Sequence, residues 1–312
     1  MNVPFLLAPM AEISHRALRE VIERFGGCDE YFTEMISAAA LLGGGPFERW
    51  YIDGGPCPEK VVYQLVGNDI DQITRAAALL DRRESRGIDL NMGCCAPIIR
   101  KAGAGITWMA SIDRAGELVK SVRKAVKSRL SVKIRTGFTD DFVYLTNFCQ
   151  RLAAEGAELI ILHPRTATEK LKRLARWDYV GALRQELPIP VAGNGDIASA
   201  EGLIARAEGP CDAVMVGRAA VRHPWIFAES QKVPGTFWAP CSPPPIQETG
   251  MMFLELLARW QPPEFHISRA RRFFSYFCDN LTWWNYLKNQ LNREQTLSGM
   301  EQAWQRYFRE NP

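Results

Sequence analysis

The residues able to do chemistry in this 312-residue chain lie at the ends of short apolar runs. Gln64 closes a run that begins at Val61. Asn91 and Cys94 follow Ile88 to Leu90. Lys133 and Arg135 alternate with Val132 and Ile134, and His163 and Arg165 follow Leu159 to Leu162. Further on, Asn194 and Asp196 sit in Ala192-Gly193-Asn194-Gly195-Asp196, and Arg218 follows Met215-Val216-Gly217. Glycines beside a basic residue let backbone N–H groups approach an anion, so the last two tracts read as a phosphate site. On a strand, Lys133 and Arg135 would share one face. An inward lysine is costly without an anionic partner. The N1–C2=O edge of a reduced flavin is one such partner, and Gln64 offers a donor and an acceptor to a flavin's pyrimidine edge. His163 suits contact with a phosphate or a substrate.

Positioning these groups requires a regular frame. Strand-like runs are expected at 5–10, 31–33, 61–65, 88–91, 131–135, 159–163, 189–192 and 213–217. Amphipathic segments at 15–25, 71–82, 112–126, 141–155 and 199–207 alternate with them. Asn68-Asp69 and Ser111 with Asp113 are helix-start signals. This alternation predicts an α/β fold, a (β/α)8 TIM barrel, whose active site gathers at the C-terminal strand ends. An open doubly wound sheet is the competitor, but no GxGxxG follows the first strand. The pattern changes after Phe227. Prolines 234, 240, 243, 244 and 245 read as a stiff linker, and segments 251–260, 268–278, 283–292 and 297–308 read as helices. The barrel is therefore followed by a small C-terminal all-helical domain, with boundaries at 1–235 and 240–312.

Lys plus Arg is 38 and Asp plus Glu is 35, a formal charge of +3. With 47% hydrophobic and 23% charged residues, the composition excludes disordered, collagenous and coiled-coil classes. So small a basic excess says nothing of nucleic acid until it is localised. No apolar stretch approaches the roughly 20 residues of a membrane span. The N-terminus reads as a strand, not a signal peptide, so free thiols in a reducing cytoplasm are expected. The 8 cysteines show no CxxC and no metal-ligand spacing.

In order, the chain carries Leu7-Ala8-Pro9-Met10, Thr33-Glu34-Met35, Gln64-Leu65-Val66-Gly67 and Asp89-Leu90-Asn91-Met92-Gly93-Cys94. It continues with Lys133-Ile134-Arg135-Thr136-Gly137, His163-Pro164-Arg165-Thr166, Gly193-Asn194-Gly195-Asp196 and Asp212-Ala213-Val214-Met215-Val216-Gly217-Arg218. In their order and spacing these motifs resemble the dihydrouridine synthase family, most specifically over 4–227. The resemblance implies an FMN enzyme that reduces the C5–C6 bond of a uridine in RNA, usually tRNA, with NADPH as reductant. It makes Cys94 the catalytic acid and Asn91 a residue that positions the uracil. Pro9, Met10, Gln64, Lys133, His163, Asn194, Asp196, Gly217 and Arg218 match the flavin-holding places, and Arg165 and Thr166 match a loop that meets RNA. It also implies a monomer. The sequence departs from the family pattern at Cys95, where Pro is usual, at Pro164, where Gly is usual, and in the basic loop 169–174. Cys95 leaves open which of two adjacent thiols acts.

Between His266 and Arg309 lie Arg269, Arg271, Arg272, Lys288, Arg293, Arg306 and Arg309, interleaved with ten aromatic residues. Most of those rings are expected in a helical core. Arg269, Arg271 and Arg272 are the favoured RNA contacts. Three other functions fit parts of the pattern: an FMN oxidoreductase acting on a free pyrimidine or small enone, a non-redox barrel enzyme for a phosphorylated metabolite, and an RNA-binding protein without catalysis.

Overall fold

The computed structural model describes residues 3–169, 173–232 and 244–311. Most of the expected linker, and Lys170, Leu171 and Lys172 of the basic loop, lie outside the described residues.

Eight strands form the barrel. They are β1 (Phe5–Leu7), β2 (Glu30–Phe32), β3 (Val61–Val66), β4 (Gly87–Met92), β5 (Arg129–Gly137), β6 (Leu159–Thr166), β7 (Val191–Asn194) and β8 (Ala213–Val216). All neighbours are parallel. Leu6 opposite Met215 joins β1 to β8, and Tyr31 opposite Val61 joins β2 to β3, so the ring closes. After a break at Thr33 to Met35, the second strand resumes as Ile36–Ser37, paired with Leu65 and Val66 of β3.

The pleat sorts the side chains. Leu6, Phe32, Val62, Ile161 and Met215 form a buried cluster inside the barrel, and Leu7, Tyr31, Ile160 and Val214 belong to the larger core under the helices. At one end of the lumen, the Glu30 carboxylate takes two bonds from Arg129, at 2.6 and 2.5 Å. At the other end the same inward rows carry Gln64, Asn91, Lys133, His163 and Asn194. The sequence permits this because in β5 the alternate residues Val132 and Ile134 are fully apolar and buried.

Local signals set the element ends. Asp69, Ser111, Asp141 and Ser199 each cap a helix by accepting a backbone N–H three residues on. β1 stops earlier than expected, because Pro9 has no N–H and Met10 turns the chain by accepting from Ile13 and Ser14. β6 runs on to Thr166 through a register shift beside Arg135 and Gly137.

Four longer helices follow the barrel: Ile246–Trp260, Pro263–Phe277, Trp284–Arg293 and Leu297–Glu310. The first lies on the barrel helix Arg16–Arg24. Their centre is aromatic. Phe253 and Phe273 stack at 3.7 Å, and the Trp304 ring comes so close to Gly250 that a Cβ there would lie 2.4 Å from it. Phe273, Phe274, Phe277, Trp304 and Tyr307 are buried, whereas Trp283, Trp284 and Tyr286 are exposed. No helix among the described residues is long and apolar enough to cross a membrane.

Candidate active site

A buried relay fixes the cysteine loop at the end of β4. Ser131 Oγ donates to Asp89 Oδ1 at 2.6 Å, and Gln64 Nε2 donates to Asp89 Oδ2 at 2.7 Å. Asn91 Nδ2 donates to Gln64 Oε1 at 2.9 Å, and Asn91 Oδ1 accepts from the Cys94 and Gly93 amides at 2.9 and 3.3 Å. A carboxylate only accepts, so Asp89 dictates which end of each amide faces which neighbour. Burial pushes the Asp89 carboxyl up to about 6 despite these bonds. On the far side of the loop, Ile106 donates to the Cys94 carbonyl, and Gly105, at φ +61°, leaves space that a Cβ would deny, 2.4 Å from that oxygen. Asp89, Ser131 and Gly105 are parts of this support that the sequence reading did not assign. The alternation of Asp89 with Leu90 was the available signal for the first.

Cys94 lines a cavity of about 450 Å3. Cys95 does not; it packs on the apolar core, and both thiols are free. Of the two adjacent thiols, only Cys94 faces the space. Burial raises its pKa, so at neutral pH it is a thiol, not a thiolate.

A second cavity of about 210 Å3 shares Pro9, Met10, Lys133, His163 and Arg218 with the first, and adds Arg165, Asn194, Asp196 and Gly217. It is strongly cationic. His163 is driven down to about 2 by burial and by the charges of Lys133, Arg135, Arg165 and Arg218. Arg165 donates to its Nε2 at 2.9 Å, so the proton of the neutral ring sits on Nδ1. Lys133 donates to Asn194 Oδ1 at 3.0 Å and is lowered to about 8, mainly by burial and then by Arg135. Neither Lys133 nor Arg218 has a carboxylate within ion-pair distance among the described residues. The acid in the cavity wall, Asp196, is already committed to Arg165 at 2.6 Å and to the Ala175 amide at 2.6 Å.

This arrangement fits an anionic planar cofactor. Positive charge is left uncompensated, and a Cβ on Gly217 would meet only Ala8 and Met10, at 3.7 Å, while taking up room in the cavity wall. Gly195 and Gly193 answer to protein packing instead. A Cβ at Gly195 would lie 3.0 Å from the His163 ring, and one at Gly193 would lie 2.2 Å from that of Trp177.

Several expected contacts are placed elsewhere. Gln64 lines neither cavity and lies beneath the floor, both ends of its amide engaged in the relay. Arg165 and Thr166 are not on an exposed loop, because β6 extends through them. Arg165 is 2% exposed, held by Asp196, His163 and the Arg173 carbonyl, and Thr166 is buried opposite Gly137. Arg269 is also buried, at 2%, 3.0 Å from Glu34. Arg271 is half-buried and donates to the Glu294 carbonyl at 2.8 Å, closing the end of helix Trp284–Arg293. Of the three arginines, Arg272 is exposed, and it lines the Cys94 cavity.

The profile of the dihydrouridine synthase (Dus) family matches residues 6–303. A protein of Aquifex aeolicus named "Probable tRNA-dihydrouridine synthase" is 34% identical over 233 residues, 72% of this chain and 71% of its own. The "tRNA-dihydrouridine(16) synthase" of Ralstonia nicotianae is 31% identical over 235 residues, covering 71% and 70%. The "tRNA-dihydrouridine(47) synthase [NAD(P)(+)]-like" of Rattus norvegicus is 30% identical over 225 residues, 72% of this chain but 35% of its own.

Proposed function

The chain belongs to the dihydrouridine synthase family, and from that premise we propose that it reduces uridine in tRNA to 5,6-dihydrouridine at the mouth of its barrel. The cofactor is a flavin, which we assign as FMN, re-reduced by NADPH. Support comes from one observation above the others: the protonated Cys94 thiol faces a cavity that shares Lys133, His163 and Arg218 of its wall with a cationic chamber.

The C5–C6 bond of uracil is conjugated to the C4 carbonyl, so hydride added at C6 leaves negative charge that a proton at C5 must quench. The bound flavin supplies that hydride. Cys94 gives the proton from the other face of the ring, the role of a weak acid with a raised pKa. Its position follows from Asn91, which holds the Cys94 amide and is itself held by Gln64. Lys133, charged at neutral pH, favours negative charge on the cofactor, and Asn194 orients its ammonium. Pro9, Met10, Asp196, Gly217 and Arg218 complete the holding surface, with Arg165 acting through His163 and Asp196. Gln64 acts on this site through Asn91, from beneath the floor.

A uridine must leave its stack to reach this depth, at a cost of a few kcal/mol. We assign residues 1–235 to the catalytic barrel and 240–312 to a helical RNA-binding unit that offsets this cost. On this reading the enzyme works as a monomer in the cytoplasm. An oxidoreductase for free pyrimidines would share the chamber, but the relatives that the chain matches are named for tRNA. Mapping dihydrouridine in cellular RNA with and without the gene tests the reading, together with turnover on tRNA transcript against free uridine. Identical RNA maps, or faster reduction of free uridine than of transcript, would overturn it.

A further inference from the structure

The cavity that holds Cys94 is not built by the barrel alone. Arg272 and Tyr276 of helix Pro263–Phe277 form part of its lining. Four residues apart on a helix, they share one face. The same helix is tied to the barrel by the contact of Arg269 with Glu34, about one turn before Arg272. Both residues line the Cys94 cavity and neither lines the chamber of Gly217 and Asp196.

Arg272 is loosely held. Its nearest carboxylate is Glu12 at 3.9 Å, beyond hydrogen-bond distance, and both side chains are about half exposed. Glu12 is fixed instead through its backbone, whose N–H donates to Glu34 Oε1 at 2.6 Å. The Tyr276 hydroxyl has no hydrogen-bond partner among the described residues. The rim over Cys94 therefore presents a guanidinium and a phenol with unused donors.

We propose that Arg272 and Tyr276 form a subsite for the ribose–phosphate of the everted uridine. The proposal rests on the tRNA-reduction reading and deepens it. A base that enters the cavity brings its own phosphodiester and 2′-hydroxyl to the rim. A guanidinium takes phosphate oxygens in a forked pair of hydrogen bonds, and a phenol bonds a ribose hydroxyl. The C-terminal helices thus act on the reacting nucleotide itself, as well as on the distant RNA body.

The test is steady-state reduction of a tRNA transcript by flavin-loaded wild type, Arg272→Ala, Arg272→Lys and Tyr276→Phe, with binding measured over a series of salt concentrations. The expected result is a KM about ten-fold higher for Arg272→Ala with kcat within about two-fold, and partial rescue by Arg272→Lys. The slope of log affinity against log salt should shrink by about 0.7 to 0.9, one phosphate's worth. Tyr276→Phe should raise KM a few-fold without changing that slope. A wild-type KM and salt slope in Arg272→Ala overturn the subsite while leaving the reaction standing. Wild-type enzyme that forms no dihydrouridine in tRNA overturns the reaction itself. Flavin absorbance and melting temperature close to wild type show that the variants are folded; a collapse of both in Arg272→Ala would mark the residue as structural and also overturn the subsite.

Discussion

Arg269 Nη1 lies 3.0 Å from Glu34 Oε2, and the two side chains are 2% and 3% exposed. The guanidinium also donates to Gln261 Oε1, and burial raises the Glu34 carboxyl above its ordinary pKa. This desolvated pair fastens the C-terminal helices to the break in the second strand. Arg269→Met strands a buried carboxylate and should cost about 3 kcal/mol near neutral pH. A carboxyl whose folded pKa is raised above its unfolded value is penalised above that folded pKa and relieved below it. The stability gap between variant and wild type should therefore narrow from pH 7 to pH 5. Paired thermal melts read it, and a gap that is constant or widens on acidification refutes the assignment.

Asn91 carries the cysteine loop. Asn91→Ala leaves the Gly93 and Cys94 amides without their acceptor and Gln64 Oε1 without its donor, a loss of about 1–3 kcal/mol. Turnover should fall at least ten-fold while flavin absorbance is retained. Asn91→Asp keeps the acceptor but sets a carboxylate against Gln64 Oε1, so it should not restore the wild-type rate. Either variant turning over normally would separate the relay from catalysis.

The two thiols should behave unequally. Cys94→Ala is expected to bind flavin and accept electrons from NADPH yet form little dihydrouridine. Cys95→Ala should stay within a few-fold of wild type, because that side chain packs on the core and not in the cavity. Because burial raises the Cys94 pKa, its alkylation by iodoacetamide should be slow at pH 7 and accelerate at alkaline pH. Loss of activity in the Cys95 variant with Cys94 intact would reverse the assignment.

Lys133 gives the chamber a pH dependence. In the cofactor-free fold its pKa is lowered to about 8 against an ordinary 10.5. Holding it charged costs stability below about pH 8, and that cost fades as pH rises towards 10.5. Binding an anion beside it has the opposite effect and favours the ammonium. FMN binding to the apoprotein at pH 8–9 should therefore take up a proton and weaken roughly ten-fold between pH 7 and 9.5. Calorimetry in buffers of differing ionisation enthalpy measures the uptake. Lys133→Gln should abolish it, and uptake that persists in that variant assigns the proton to another group.

The barrel was legible because its strands alternate so plainly. In β5, Val132 and Ile134 announce the outer face, and Lys133 and Arg135 the inner one. Lys133 and His163 could be picked out as inward-facing for the same reason, whereas Arg218 was marked by the glycine before it and Cys94 by its motif, the choice between Cys94 and Cys95 waiting on the fold. What the sequence concealed depended on a third dimension. Asp89 and Ser131 lie 42 residues apart and meet only when β4 and β5 pair. Arg269, Arg271 and Arg272 look alike in a basic run, yet helical geometry turns the first into a sealed interface, the second onto a carbonyl and the third towards the cavity. Thr166 looked like a loop residue because nothing local announces the register shift that prolongs β6.

Since part of the chamber around Cys94 is supplied by helix Pro263–Phe277, barrel and tail are not interchangeable parts. A hybrid carrying another relative's tail would need a cation facing Glu34 and a comparable pair of side chains over the opening. Without them it would have an intact yellow centre inside a breached room, oxidising NADPH to no purpose.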